Sequence, residues 1–284
     1  MSLWQAILLG IIQGLTEFIP ISSTAHLTIA GKLFGLIDPA RPDQWTAFIA
    51  VIQLGTLIAV IAYFWTDVLR IIRGFVALNL NTITRQPIES SIRRDGLLGW
   101  FVVLGTIPIS VVGLAFRHQI EGTLTKNLWV ISGSLIGLAI VLTIAEFVGR
   151  QERDIDKVRF GDALAVGVAQ VFALIPGSSR SGTTITGGLL VGLKRETAAR
   201  FSFLLSMPAI GASGLLELPK ALRSVDTDWT LLIVSTTVSA IAGYLSIAFL
   251  LKYLQRHTTF LFVGYRIVLG VVLIALLMKG FIEA

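Results

Sequence analysis

Apolar stretches of about 20 residues, nearly free of charge, recur along the whole chain, and each is long enough to cross a bilayer as a helix. Inside a membrane every backbone N–H and C=O must be paired within the protein, which admits only helices or closed barrels. These runs are continuous rather than alternating, so an all-α polytopic membrane protein is expected. Only 14% of the 284 residues are charged, against roughly 25% in soluble domains. No segment is long and polar enough for a separate soluble unit, so residues 1–284 read as one integral membrane domain. Cysteine is absent, which excludes disulfides and thiolate metal sites and leaves the redox compartment unreadable. The net charge of +6 fits basic cytoplasmic loops in a membrane chain, and no nucleic-acid partner is expected. The N-terminus lacks a basic n-region and a cleavage pattern and is expected to be mature sequence.

Six full spans are predicted, at about 45–65, 97–116, 128–149, 200–217, 229–251 and 258–279. A basic loop of about 30 residues joins the first two, carrying Arg70, Arg73, Arg85, Arg93 and Arg94. Two other apolar stretches, 3–36 and 160–193, are too broken to span. Gly10, Gly14 and Pro20 interrupt the first; Pro176 and Gly177 interrupt the second. Both read as re-entrant helical hairpins, whose irregular backbone is tolerated only when covered by protein or a water-filled cavity. The order is therefore hairpin plus three spans, twice, in halves of about 1–150 and 160–284. Three spans cross the bilayer and a hairpin does not, so the halves have opposite orientation, as in inverted-repeat transporters. Gly10, Gln13, Pro20, Ser22 and Ser23 align with Gly167, Gln170, Pro176, Ser178 and Ser179 with one gap. Loops 66–96, 150–160, 194–200 and 252–257 hold 14 Lys and Arg residues, against seven on the other side. The positive-inside rule places the 14 in the cytoplasm and both termini outside.

Ionisable groups at bilayer depth are costly and mark function. Four stand out: Glu17, His26, Arg180 and Arg266. Hairpins entering from opposite faces bring their tips together, gathering Glu17, Ser22, Ser23, Thr24 and His26 against Ser178, Ser179, Arg180, Ser181, Thr183 and Thr184. Arginine presents a rigid fork of donors suited to phosphate oxygens, and a helix start adds free N–H groups. Such a set suits binding of a phosphate and stabilisation of charge developing on it. Ser23 and His26 are three residues apart, on one face of a helix restarting after Pro20. A serine nucleophile needs a base, and histidine titrates near neutral pH. Glu17 has three readings: orienting His26, taking a proton, or holding a divalent cation. Gln13 lies one turn before it. Ser22 on its own reads as structural, and Arg266 has two readings: reaching the same cavity from the last span to bind substrate, or pairing with Glu17 or Glu146 to hold the bundle. Trp45, Trp65, Trp129 and Trp229 fall at predicted span ends and read as interface anchors. No Walker A loop, nucleophile elbow or metal-ligand cluster is present in the sequence.

QGLTEFIPISSTAH at 13–26 and PGSSRSGTT at 176–184 resemble the two signatures of the undecaprenyl-pyrophosphate phosphatases, the bacitracin-resistance family. The similarity extends to VIQLG at 51–55, whose Gln53 is a candidate substrate-binding residue, to FSFLLSMP at 201–208 and to Tyr265-Arg266. The resemblance implies removal of the terminal phosphate of undecaprenyl pyrophosphate, recycling the lipid carrier for cell-wall synthesis at the outer face of the plasma membrane. It carries over Glu17, Ser23, His26, Ser179, Arg180 and Thr184 as site residues, and it implies help from a divalent cation such as magnesium, for which Glu17 is the candidate ligand. The family's first motif is Glu/Gln-x-x-x-Glu. Gln13 fills the first position here, so a carboxylate pair is dispensable and a metal held by both positions is disfavoured. Three phosphorus-attack routes stay open: Ser23 with His26 or Glu17 as base, an activated water, and a phospho-histidine at His26. The rival reading is a polyprenyl-phosphate carrier, alone or combined with the phosphatase. A homo-oligomer is compatible with the sequence, which does not fix the oligomeric state.

Overall fold

The computed structural model describes residues 1–38, 40–84, 88–223 and 228–283. The first hairpin is α1 (Leu3–Phe18) and α2 (Ser23–Leu33). Then follow α3 (Pro42–Tyr63), α4 (Trp65–Thr84), α5 (Ser90–Ala115), the short α6 (Arg117–Glu121) and α7 (Leu128–Val148). The second hairpin is α8 (Phe160–Val171) and α9 (Arg180–Leu190), and α10 (Arg195–Arg223), α11 (Trp229–Leu254) and α12 (Phe260–Met278) complete the chain. The described residues form an all-α membrane protein, with six helices long and apolar enough to span: α3, α5, α7, α10, α11 and α12. Each predicted span matches one of them; α5 starts seven residues earlier than expected, and α10 starts earlier and ends later.

The predicted basic loop after the first span is instead the 20-residue helix α4. Its apolar residues recur at helical spacing. Ile71, Phe75 and Leu78 meet the glycines Gly96 and Gly99 of α5, while Ile72, Val76 and Leu80 stay exposed. Arg70 and Arg73 dilute the apolar signal, which hides the helix from a search for unbroken runs. Arg85 of the same stretch lies outside the described residues, as do the side chains of Lys220 and Arg223.

The first helix of each hairpin is seated by a close backbone approach to a full span. At Gly14 of α1 an added Cβ would lie 2.5 Å from the Ala242 Cβ and 2.6 Å from the Gly243 nitrogen of α11. At Gly167 of α8 it would lie 2.5 Å from the Gly105 oxygen of α5. Small residues let membrane helices pack this closely where no hydrophobic drive operates between them. The two short helices that restart each hairpin have 11 residues each and begin at serine N-caps with left-handed backbone, Ser22 (φ 77) and Ser179 (φ 71). Ser22 Oγ accepts from the Ala25 N–H, and Ser179 Oγ from the Gly182 N–H. The caps therefore equate Ser22 with Ser179 and Ser23 with Arg180, and the gap in the sequence alignment disappears. Gly10 and Gly167, Gln13 and Gln170, and the left-handed Gly35 and Gly192 keep that same spacing.

Candidate active site at the meeting of the two hairpins

Glu17 sits in the last turn of α1, just before the chain breaks at Ile19 and Pro20. It is buried, yet both of its oxygens are engaged. Gln13 Nε2 donates to Oε2 at 2.9 Å from one turn back along α1, and Ser23 Oγ donates to the same oxygen at 2.7 Å from the start of α2. Arg180, the first residue of α9, pairs with Oε1 from the other hairpin. A carboxylate at this depth is sustained only by partners of this kind. The breaks supply those partners: each ends one helix, turns through a left-handed serine, and starts another helix at the same spot. The caps take up the N–H of Ala25 and of Gly182. The earlier N–H groups, at Ser23, Thr24, Arg180 and Ser181, have no intrahelical acceptor by helix geometry. Two positive helix ends thus bracket the Glu17–Arg180 pair, which suits an anion with several oxygens.

A cavity of about 360 Å³ reaches this cluster. Six predicted site residues line it: Glu17, Ser23, Thr24, Gln53, Ser179 and Arg180. Its other end is walled by Thr46 of α3, Arg117 of α6, Lys126 and Glu217 of α10. Arg117 pairs with Glu217 at 3.3 Å. Lys126 is 7% exposed, and its ammonium donates to Thr46 Oγ1 at 2.6 Å and to the Gly122 carbonyl at 2.9 Å. In the sequence these three look like ordinary loop and span-end charges. Only the tertiary fold turns them into cavity wall. Trp45 is also wall and not an interface anchor: it is 5% exposed, stacks on Phe48 and faces Gly31. Trp65, Trp129 and Trp229 are exposed at helix ends, as expected of anchors.

The remaining predicted residues stand behind the site. Gln13 is fully buried and touches the cavity only through Glu17. Ser22 is spent on its cap. Ser178 is buried in the turn before Ser179 and does not line the cavity. Ser181 Oγ donates toward the Glu17 carbonyl at 3.2 Å and so ties the hairpins together. Thr183 and Thr184 bond the Arg180 carbonyl, and Thr184 also bonds Ser202. Hydroxyls on a helix turn their lone hydrogen to a backbone carbonyl one turn back when no ligand competes. His26 is placed otherwise than expected. Its Nδ1 is 2.7 Å from the Ser22 carbonyl, its Nε2 is 2.6 Å from Tyr265 Oη, and its ring stacks on Tyr265. The residue three positions before it, Ser23, points to Glu17 instead. Residues three apart on a helix still differ in direction by about 60°, enough for Ser23 to reach Glu17 while His26 reaches Tyr265.

Arg266 has no exposed surface and does not line the cavity. It pairs with neither Glu17 nor Glu146. Its guanidinium donates to four carbonyls: Pro20 at 3.2 Å, Gly177 at 3.1 Å, Leu135 at 3.1 Å and Ser134 at 3.3 Å. The first two are the freed carbonyls of the two hairpin breaks. Glu146 is bound elsewhere, by Arg195 and by Thr259 Oγ1 at 2.7 Å.

The family described as Bacitracin resistance protein BacA matches residues 6–272. An undecaprenyl-diphosphatase from Syntrophobacter fumaroxidans is 54% identical over 271 residues, 95% of each chain. One from Chloroherpeton thalassium is 51% identical over 295 residues, covering 100% of each. One from Chlorobaculum tepidum is 49% identical over 290 residues, 99% of each.

Proposed function

Since the chain belongs to the bacitracin resistance protein BacA family, we propose that Ser23, Glu17 and Arg180 carry out its reaction. That reaction is hydrolysis of undecaprenyl pyrophosphate to undecaprenyl phosphate and inorganic phosphate, and the chain is an undecaprenyl-diphosphatase. The observation that carries the residue assignment is the triple contact at Glu17, in which one carboxylate holds the Ser23 hydroxyl and the Arg180 guanidinium at the end of a cavity.

The pyrophosphate enters between the starts of α2 and α9. Arg180 turns from Glu17 to the phosphate oxygens, which offer it the bidentate pairing its fork favours. Glu17, released from its ion pair, becomes the base. Ser23 Oγ attacks the terminal phosphorus while its proton passes to Glu17 Oε2. The bond from that phosphorus to the bridging oxygen breaks, Glu17 returns the proton to that oxygen, and undecaprenyl phosphate leaves. Glu17, again a carboxylate, then takes a proton from the water that attacks the phosphoserine and hands it to the departing Ser23 Oγ, which frees inorganic phosphate and Ser23. Free N–H groups at both helix starts receive the charge that builds on the equatorial oxygens. Among the described residues no group of three or more His, Asp or Glu side chains is gathered in one place. A single carboxylate fits the mode in which magnesium is held mainly by substrate phosphates, with Glu17 as the protein ligand. A cation so held would neutralise phosphate charge. The carrier alternative is not favoured, because the relatives are named for hydrolysis.

Ser23→Ala is expected to lower kcat for phosphate release in detergent by at least about 10² with KM little changed. His26→Gln is expected to lose less, because His26 positions the break through Ser22 and Tyr265 and does not face the cavity. Its acid limb in the pH–rate profile should stay where the wild-type limb lies. Near-normal turnover in Ser23→Ala would end the serine route.

The cavity's outer end lies at the face carrying residues 117–126, opposite the basic loops. By the positive-inside rule that face is extracytoplasmic, with both termini on the same side. The chain has no cysteine, so Gln119→Cys supplies a lone thiol on exposed α6. A membrane-impermeant thiol reagent is expected to label it in intact cells. Labelling only after lysis would reverse the orientation.

A further inference from the structure

We propose that the prenyl tail of the substrate passes from the cavity into the bilayer through a lateral window framed by Gly113 and Leu114 of α5 and by Leu174 and Ile175 of the second hairpin break. Gly113 sets the room there for a long chain. The inference rests on the head-group site described above and adds the path of the tail.

Size comes first. Pockets of roughly 300–1,000 Å³ enclose a drug-sized molecule. At about 360 Å³ this cavity holds the pyrophosphate and the first part of a tail, not a chain of eleven isoprene units. The rest must leave through the wall, and an apolar chain gains by leaving at membrane depth. Leu114 and Ile175 line the cavity and are at the same time well exposed, at 61% and 44%; Leu216 of α10, which also lines it, reaches 47%. A side chain that is both inner wall and outer surface marks a place where the wall is one residue thick and open. Leu174 and Ile175 also lie just before Arg180 in the chain. A pyrophosphate held by Arg180 therefore starts its tail beside them.

The glycines of α5 separate packing from passage. A Cβ at Gly96 would lie 2.5 Å from the Gly74 oxygen, one at Gly99 would lie 3.0 Å from Phe75, and one at Gly105 would lie 3.0 Å from Leu205. Those three are glycines because a neighbouring helix occupies the space. A Cβ at Gly113 would meet a single atom within 4 Å, Leu174 Cδ2 at 3.8 Å. Nothing in the packing calls for glycine at 113, although glycine weakens a helix. The open space beside it belongs to the cavity. Two neighbouring seams are closed: Leu54 of α3 fills the contact at Gly214 of α10, and the Arg117–Glu217 pair ties α6 to α10 at the outer end.

The test compares undecaprenyl pyrophosphate with farnesyl pyrophosphate, whose tail is short enough to remain largely inside. Gly113→Leu, a change that favours helix, is expected to raise KM for the long substrate about tenfold or more. Its kcat/KM for farnesyl pyrophosphate should stay within about twofold of wild type. Gly133→Leu on α7, where an added Cβ also meets no neighbour but which lies outside the cavity, should change neither. Equal losses on both substrates, or no loss on either, would overturn the window. So would chain-length selectivity appearing in Ala212→Leu on α10 and not in Gly113→Leu. Farnesyl pyrophosphate turnover reads the head-group site by itself. If Ser23→Ala leaves that turnover intact, the catalytic assignment fails, whatever Gly113→Leu does.

Discussion

Arg180→Ala lowers kcat/KM for pyrophosphate hydrolysis by about 10³–10⁵, the range an arginine supplies when it meets developing charge on a transferring phosphoryl group. Two losses combine. The phosphate loses its bidentate partner, and Glu17 loses the cation that balances it in the resting site. Removing one member of a buried ion pair costs about 3–5 kcal/mol, because a charge is left without compensation. That part is softened here, since Gln13 and Ser23 still donate to Glu17. The two losses separate by measurement. Thermal unfolding in detergent reads the stability term, and turnover at saturating substrate reads the transition-state term. Arg180→Lys keeps the charge but not the planar fork, so it should restore stability more fully than turnover. An Arg180→Ala protein retaining a tenth or more of wild-type turnover would remove arginine from the chemistry.

Arg266→Met produces the largest expected loss of stability. Methionine fills much of the volume but donates nothing. Four carbonyls, at Pro20, Ser134, Leu135 and Gly177, lose this donor together; Ser134 and Leu135 keep their helical N–H partners inside α7, whereas Pro20 and Gly177 at the breaks have no helical donor to fall back on. An orphaned buried acceptor costs about 1–3 kcal/mol, and no water replaces the donor in a dry membrane interior. Relaxation shares the strain, so a net loss of about 3–5 kcal/mol is expected, seen as a fall in the detergent melting temperature. Catalysis should fall with it, since Arg266 fastens both breaks and the breaks carry Ser23 and Arg180. Arg266→Lys should recover only part, because one ammonium does not span carbonyls on two hairpins and α7. An unchanged melting temperature in Arg266→Met would show that the hairpin tips hold their positions without it.

Much of this was legible without coordinates, for reasons that differ by residue. The six spans follow from unbroken apolar length, a signal that needs no partner to interpret. Glu17 and Arg180 stand out because charge at that depth must be compensated. Their polarity could be read from the chain alone, but that they compensate each other is visible only in the fold. The helix α4 was hidden because its arginines mask an apolar face at helical spacing. Spacing pairs His26 with Ser23, yet spacing does not set the rotation of α2, and in the fold His26 meets Tyr265 on the last helix. Arg266 stands out by its charge, which fits a cavity residue and a bundle-holding one equally. Its real partners are carbonyls, which every residue possesses and no sequence displays.

Sequence alone determined the class of molecule and the cast of its chemistry. Hydrophobic length dictates spanning helices, glycine and proline dictate where helices stop, and rare buried charges name their own importance. The tertiary structure alone decided which of those residues face the cavity and which stand behind it. Facing depends on helix rotation and on contacts between segments more than a hundred residues apart. That is how Lys126 and Trp45 became wall, His26 turned to Tyr265, and Gly113 was left beside open space.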